Sequence, residues 1–172
     1  MDLVRLEAIM KKFDVHTFPI KGQVSHIHER FHVSDYTYGS NGENIVTDGF
    51  NVVISVTEPP GPTNQLTSLL ASSDVYHRHI EVAFDDPSTD LRDAMLEALG
   101  VVSCWEGKTL IHCGAGCSRS VAVVIFLMCM LYDMTIETAV DIAVKSRPCI
   151  SPMPCYIEQV EQLLKTCKMS KN

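Results

Sequence analysis

The segment His112-Cys113-Gly114-Ala115-Gly116-Cys117-Ser118-Arg119-Ser120 sets a thiol and a guanidinium six positions apart, with two glycines between them. A phosphate group needs several donors converging on its oxygens, and a loop of small residues lets successive backbone N–H groups turn inward as an anion-binding nest. Gly114 and Gly116 permit that curl, and Ala115, Cys117 and Ser118 complete the phosphate-binding loop. Arg119 offers a planar fork of donors to two oxygens at once, a task lysine does not perform equally. Thr109-Leu110-Ile111 reads as a short buried strand ahead of the loop, and Arg119 to Leu131 as an apolar helix behind it. The loop therefore lies under the positive end of a helix dipole, where Cys113 is expected to be a thiolate and a ready nucleophile at neutral pH. His112 should point away from the pocket and steady the loop by hydrogen bonding, while Ser120 can donate to the sulfur and ease its departure.

A phosphate ester also needs a proton on its leaving oxygen, so an acid should stand opposite the nucleophile on a separate loop. Asp85-Asp86-Pro87-Ser88 follows the strand-like stretch Val75 to Val82 and precedes a helix, a hinge-like place suited to a group that moves in.

The loop residues resemble the signature of the protein tyrosine phosphatase superfamily, and Arg119-Ser120 followed by an apolar helix is most similar to its dual-specificity branch. Arg147-Pro148-Cys149-Ile150-Ser151-Pro152-Met153-Pro154-Cys155-Tyr156-Ile157-Glu158-Gln159-Val160 is similar to that branch's Arg-Pro…Ser-Pro-Asn…Phe…Gln-Leu tail, with Met153 in place of the usual Asn. Val52 to Thr57 stands where the family has a core strand, and the resemblance covers roughly residues 24 to 166. It implies a cysteine-dependent phosphatase that works through a phosphocysteine intermediate, with no metal and no organic cofactor. The family's acid stands six residues before the first apolar helix residue. Counting back from Leu91 gives Asp85, with Asp86 as the alternative. Asp85 precedes Cys113 by 28 residues, a few fewer than the family usually has, so the intervening helix or turn is trimmed.

The variable loop residues carry no charge, whereas relatives acting on multiply phosphorylated lipids often add lysines there. The chain also lacks room for the segments that deepen the pocket of larger tyrosine-specific relatives. The resemblance thus implies a phosphoprotein substrate, with phosphotyrosine and phosphoserine/phosphothreonine both admitted. The same chemistry on an RNA 5′-triphosphate or phosphoinositide is the alternative, and a non-catalytic phosphopeptide-binding module the next.

Other residues compete for a role. His26-x-His28 and His77-x-His79 put each pair on one strand face, yet no carboxylate or cysteine completes a metal set nearby, so they read as exposed strand histidines. Cys117 is near enough in sequence to Cys113 for a disulfide under oxidation, with Cys104, Cys149 and Cys155 as other partners, but packing as small apolar residues is the simpler reading.

Positioning these groups calls for an α/β frame. Phe50 to Val56 is a β-branched strand closed by Pro59-Pro60-Gly61-Pro62, and Ser25 to Ser34 is another, carrying Ile27, Phe31 and Val33 and followed by turns over Tyr36 to Asn44. Cap residues from Ser88, then Leu91, Met95, Leu99 and Val102, predict a helix to about Ser103, with Gly100 weakening its end. Thr135 to Lys145 and Pro154 to Lys168 are helical as well. Interleaved strands and helices predict a mostly parallel central sheet flanked by helices, with the Cys113 loop at the carboxyl end of its strand.

The 172 residues suit one domain: an amphipathic helix and linker over 1–23, a catalytic domain over 24–168 and a tail over 169–172. Leu3, Leu6, Ile9, Met10 and Phe13 form a stripe that either caps this core or meets a second copy, so monomer and homodimer both stand. A formal charge of −7 without a basic run argues against nucleic acid and anionic membrane as partners. The longest apolar run, Val121 to Leu131, is too short to cross a bilayer. Seven cysteines and no signal-peptide pattern over Met1 to Asp14 point to a reducing, intracellular place, cytoplasmic with the nucleus open.

Overall fold

The run Val52-Val53-Ile54-Ser55-Val56-Thr57 is buried along its whole length because it is an inner strand of a five-stranded sheet. The structure, a computed structural model, describes residues 1–13, 17–19 and 21–169. Its elements in chain order are α1 (Leu3–Met10), β1 (Val24–His28), β2 (Phe31–Ser34), α2 (Tyr36–Gly39), α3 (Gly42–Thr47), β3 (Val52–Thr57) and α4 (Asn64–Ser72). Then come β4 (Tyr76–Glu81), α5 (Arg92–Cys104), β5 (Thr109–His112), α6 (Arg119–Leu131), α7 (Ile136–Ser146) and α8 (Pro154–Met169). The strand order is β1-β2-β5-β3-β4. All neighbours are parallel except β1 and β2, so the sheet is mixed, with one antiparallel edge.

Alternation along the strands divides the core in two. Val52, Ile54 and Val56 of β3 join Ile111 and the apolar faces of α5, α6, α7 and α8. Val53 joins Leu110, Tyr38, Ile45, Phe50, Leu66, Leu70 and Val75 in the smaller cluster beneath α2, α3 and α4. Toward the carboxyl ends the second face turns polar, with Ser55 and His112 following Val53 and Leu110. Helix α6 is the hub, for Arg119 through Cys129 are all buried, as its unbroken apolar run predicts. Most of the α1 stripe is directed to this same core, where Leu6, Ile9 and Phe13 are buried, while Leu3 stays exposed. Arg5 pins the helix by ion pairs at 2.6 Å to Glu137 of α7 and Glu161 of α8.

Several local expectations are corrected. The stretch Ser25–Ser34 is a hairpin and not one strand, because Glu29 takes φ +48° and reverses the chain between β1 and β2. The turns expected over Tyr36 to Asn44 hold α2 and the start of α3, with Asp35 and Asn41 accepting from the N–H groups of Tyr38 and Asn44. Helix α4, which the sequence reading passed over, begins on the Thr63 cap and buries Leu66 and Leu70. Helix α5 starts at Arg92 and not near Ser88, and Gly100 lies within it. No helix among the described residues is long and apolar enough to cross a membrane. Of the expected linker, positions 14–16 and 20 lie outside the described residues, as do 170–172 of the tail.

Candidate active site

Strand β5 ends at His112 and α6 begins at Arg119, so the six residues between close a loop at the carboxyl edge of the sheet. Gly116 has φ +66°, and a Cβ there would come within 2.4 Å of the Ser34 carbonyl oxygen, so both conformation and space demand glycine. Gly114 is less constrained, since its Cβ would meet Arg119 Nη2 at 3.3 Å. Three segments brace the loop. The Tyr36 N–H donates to the Gly114 carbonyl at 2.9 Å, Arg147 Nε to the Gly116 carbonyl at 2.8 Å, and the Ser151 N–H to the Cys117 carbonyl at 2.8 Å. Arg147 is itself buried and also reaches Ser25 Oγ at 3.1 Å.

Cys113 is buried at the base of the loop, with Ser120 Oγ donating to its sulfur at 3.2 Å. Arg119 is 4% exposed, and its guanidinium faces two carboxylates. Nη1 stands 2.6 Å from Glu58 Oε1, and Nε 3.5 Å from Asp85 Oδ1. Nη1 also donates to the Ala83 carbonyl at 3.2 Å. Nε is buried and makes no hydrogen bond among the described residues, so it is available to an incoming acceptor.

The two adjacent aspartates part company. Asp85 Oδ1 accepts from Ser118 Oγ and from the Tyr156 hydroxyl, each at 3.2 Å, which sets its carboxylate beside the loop. Burial, then the charge of Asp85, pushes the Tyr156 phenol up to about 12, so it remains a donor. Asp86 instead accepts from the Ser88 hydroxyl at 2.5 Å and the Ser88 N–H at 2.8 Å, bonds that hold its carboxyl below the usual range. Gln159 of α8 secures this segment by accepting from the Leu91 N–H at 2.7 Å and donating to the Thr89 carbonyl at 3.0 Å.

His112 turns away from the loop onto the polar sheet face, close under α2. A Cβ on Gly39 would fall 2.3 Å from its ring, so glycine is needed there too. His112 Nε2 lies 2.6 Å from Ser55 Oγ, and His77 Nε2 lies 2.9 Å from the same oxygen. One hydroxyl can donate to one imidazole and accept from the other, which suits two neutral rings. Burial lowers both histidines to about 4, consistent with that pairing.

A groove of about 280 Å³ opens beside the loop, walled by Tyr36, Thr57, Glu58, Pro59, Pro60, Gly61, Phe84 and Gly114. Sequence reasoning missed Glu58 and gave no role to Ser55, Arg147 or Tyr156. It also took the strand histidines as exposed, whereas His77 and His79 are partly buried and bonded to Ser55 and Thr57. The Cys117 sulfur lies against Cys149 at 3.7 Å.

An α/β sheet that presents a cysteine and a buried arginine on one strand-to-helix loop has the architecture of the cysteine-based phosphatase domains. The chain belongs to the dual specificity phosphatase family: the family model described as "Dual specificity phosphatase, catalytic domain" matches residues 40–166. It is 26% identical over 118 residues to Dual specificity protein phosphatase 1 of Arabidopsis thaliana, covering 69% of this chain and 56% of that protein. To Dual specificity protein phosphatase 19 of Mus musculus it is 38% identical over 55 residues, 32% of this chain and 25% of that protein. The matches to these two curated relatives thus span between a quarter and somewhat over half of their length. Its fold is similar to the crystal structure of human DUSP28, with a TM-score of 0.73 and 18% identity, covering 88% of this chain and 99% of that one.

Proposed function

We propose that the protein is a dual-specificity protein phosphatase that hydrolyses phosphotyrosine and phosphoserine/phosphothreonine through a phosphocysteine. The observation that carries this reading is the convergence of Cys113, Ser120, Arg119 and Asp85 on one braced loop. Cys113 attacks phosphorus in line, while Arg119 and the amides of Gly114 to Ser118 hold the charge spread over the equatorial oxygens. Asp85 protonates the leaving oxygen, then takes a proton from the water that hydrolyses the phosphocysteine, and Ser120 stabilises the departing thiolate. His112 acts from behind, holding the end of β5 through Ser55. Asp86 is tied to Ser88 and serves the turn.

The groove beside the loop is open and walled by uncharged residues apart from Glu58, which suits phosphoprotein segments better than polyanionic RNA or phosphoinositides. A monomer is the favoured state, since α1 buries Leu6 and Ile9 in its own core, while exposed Leu3 and Val4 are the surface a second copy would have to cover. Light scattering on the full chain tests that. A panel of an aryl phosphate, phosphopeptides of all three residue types, phosphoinositides and 5′-triphosphate RNA tests the function. Turnover of phosphopeptides, abolished in Cys113→Ser with phosphate binding kept, is expected. Substantial activity in Cys113→Ser would overturn the mechanism, and preference for RNA or lipid would overturn the substrate class.

A further inference from the structure

Cys117 of the loop and Cys149 of the α7–α8 connection lie 32 positions apart in the chain, yet their sulfurs are 3.7 Å apart, the Cys117 thiol donating to the Cys149 sulfur. Core packing does not account for the pair, because neither residue belongs to either apolar cluster. Both are partly exposed, within reach of a small reagent. The segments that carry them are already joined by the Ser151 N–H to the Cys117 carbonyl and by the Arg147 side-chain Nε to the Gly116 carbonyl, each at 2.8 Å. To bond, the sulfurs must close from 3.7 Å to about 2 Å, a movement that these two mutually bonded segments have to absorb.

We propose that Cys117 and Cys149 form a reversible disulfide, a modification site for low-molecular-weight disulfides such as oxidised glutathione, and that the cross-link distorts the phosphate cradle. Its effect on turnover rests on the function proposed above, but formation of the bond does not. The Cys149 thiolate attacks one sulfur of the small disulfide, breaking that S–S bond and releasing one small thiolate. Cys117 then gives up its proton and attacks the Cys149 sulfur of the mixed disulfide, releasing the second. Two protein thiols are oxidised and one small disulfide is reduced to two thiols. Burial, with Cys149 as the next cause, pushes the Cys117 thiol up to about 12, so it does not start the exchange; the 3.7 Å contact with the Cys149 sulfur is what lets it complete the exchange. Cys117 adjoins Gly116 at φ +66°, so drawing its sulfur toward Cys149 strains the turn that shapes the loop.

The test uses wild-type and Cys113→Ser proteins equilibrated with oxidised glutathione, alkylated and digested. One linked peptide pair containing Cys117 and Cys149, separated by dithiothreitol, is expected in both. The link is scored whether or not the protein turns over any phosphate ester, so this inference and the proposed function fail separately. With Cys113 shielded by inorganic phosphate during oxidation, wild type is expected to lose at least about tenfold in kcat/KM and to recover on reduction, while Cys149→Ala loses less than about twofold. Absence of the linked pair, or a Cys113–Cys117 link in its place, overturns the pairing. Equal losses in wild type and Cys149→Ala overturn the effect on the cradle.

Discussion

Arg119 Nη1 stands 2.6 Å from Glu58 Oε1, so the cradle's guanidinium is already faced by a negative charge from the end of β3. An incoming phosphate dianion meets that carboxylate as a like charge. Removing it is worth on the order of 1 kcal/mol in a partly wet groove, or about fivefold in affinity. Glu58→Gln is therefore expected to tighten competitive inhibition by inorganic phosphate about fivefold. An unchanged or weaker inhibition constant would show that Glu58 orients Arg119 more than it competes for it.

For the acid, Asp85→Asn is expected to slow turnover of alkyl phosphates by about 10²–10⁴-fold, and far less for a p-nitrophenyl leaving group that departs without a proton. Asp86→Asn should cost little, since that side chain is occupied with Ser88. Tyr156→Phe removes one donor to Asp85 and should fall between the two. Leaving-group series on the three variants check the order; its reversal would transfer the role to Asp86.

Stability should depend on pH through the buried histidines. Burial depresses His112 to about 4, below the value of about 6.5 for an unfolded histidine, so between these limits the unfolded chain binds more protons. Its contribution is complete above about pH 6.5 and is lost as the pH falls toward 4, on the order of 3 kcal/mol for His112. Urea midpoints at pH 7 and 4.5 are expected to differ more in wild type than in His112→Asn. Equal falls would rule out His112 as a source of the acid sensitivity.

Arg147→Met should damage both stability and binding. The buried guanidinium donates to the Gly116 carbonyl and to Ser25 Oγ, and loss of charge-assisted bonds of this kind costs about 2–4 kcal/mol. Chemical denaturation should show that loss, and phosphate affinity should drop with it. A variant that loses stability alone would mean that the loop keeps its shape without this brace.

The parts of the frame that could be read from sequence are those whose signal is local and long. The β-branched Val52–Thr57 and the apolar run behind Arg119 declare themselves by composition, and Cys113, Arg119 and Ser120 by their spacing. The hairpin was hidden because its turn uses Glu29 and Arg30, with no glycine or proline to mark it. Helices α2 and α3 are too short for periodicity to speak, and each depends on one capping side chain, whereas α4 does carry Leu66, Leu69 and Leu70 at helical spacing behind its Thr63 cap. Glu58 becomes a partner of Arg119 only once β3 and β5 lie side by side, and its one hint was its place just past a strand's carboxyl end. For Cys117 the sequence offers Cys113, Cys104, Cys149 and Cys155 alike, and only the fold, which brings Cys149 in from beyond α7, singles one out as its sulfur contact.

Two of the three braces of the loop, those from Arg147 and Ser151, are made after the loop itself. A ribosome that has released the chain only as far as Leu131 has exported the thiol and the guanidinium, but not Arg147, Ser151 or Tyr156, which hold Gly116, Cys117 and Asp85 in position. A nascent chain at that stage carries the signature without these bonds. The bracing of the loop thus waits on α7 and α8, which follow it in the chain.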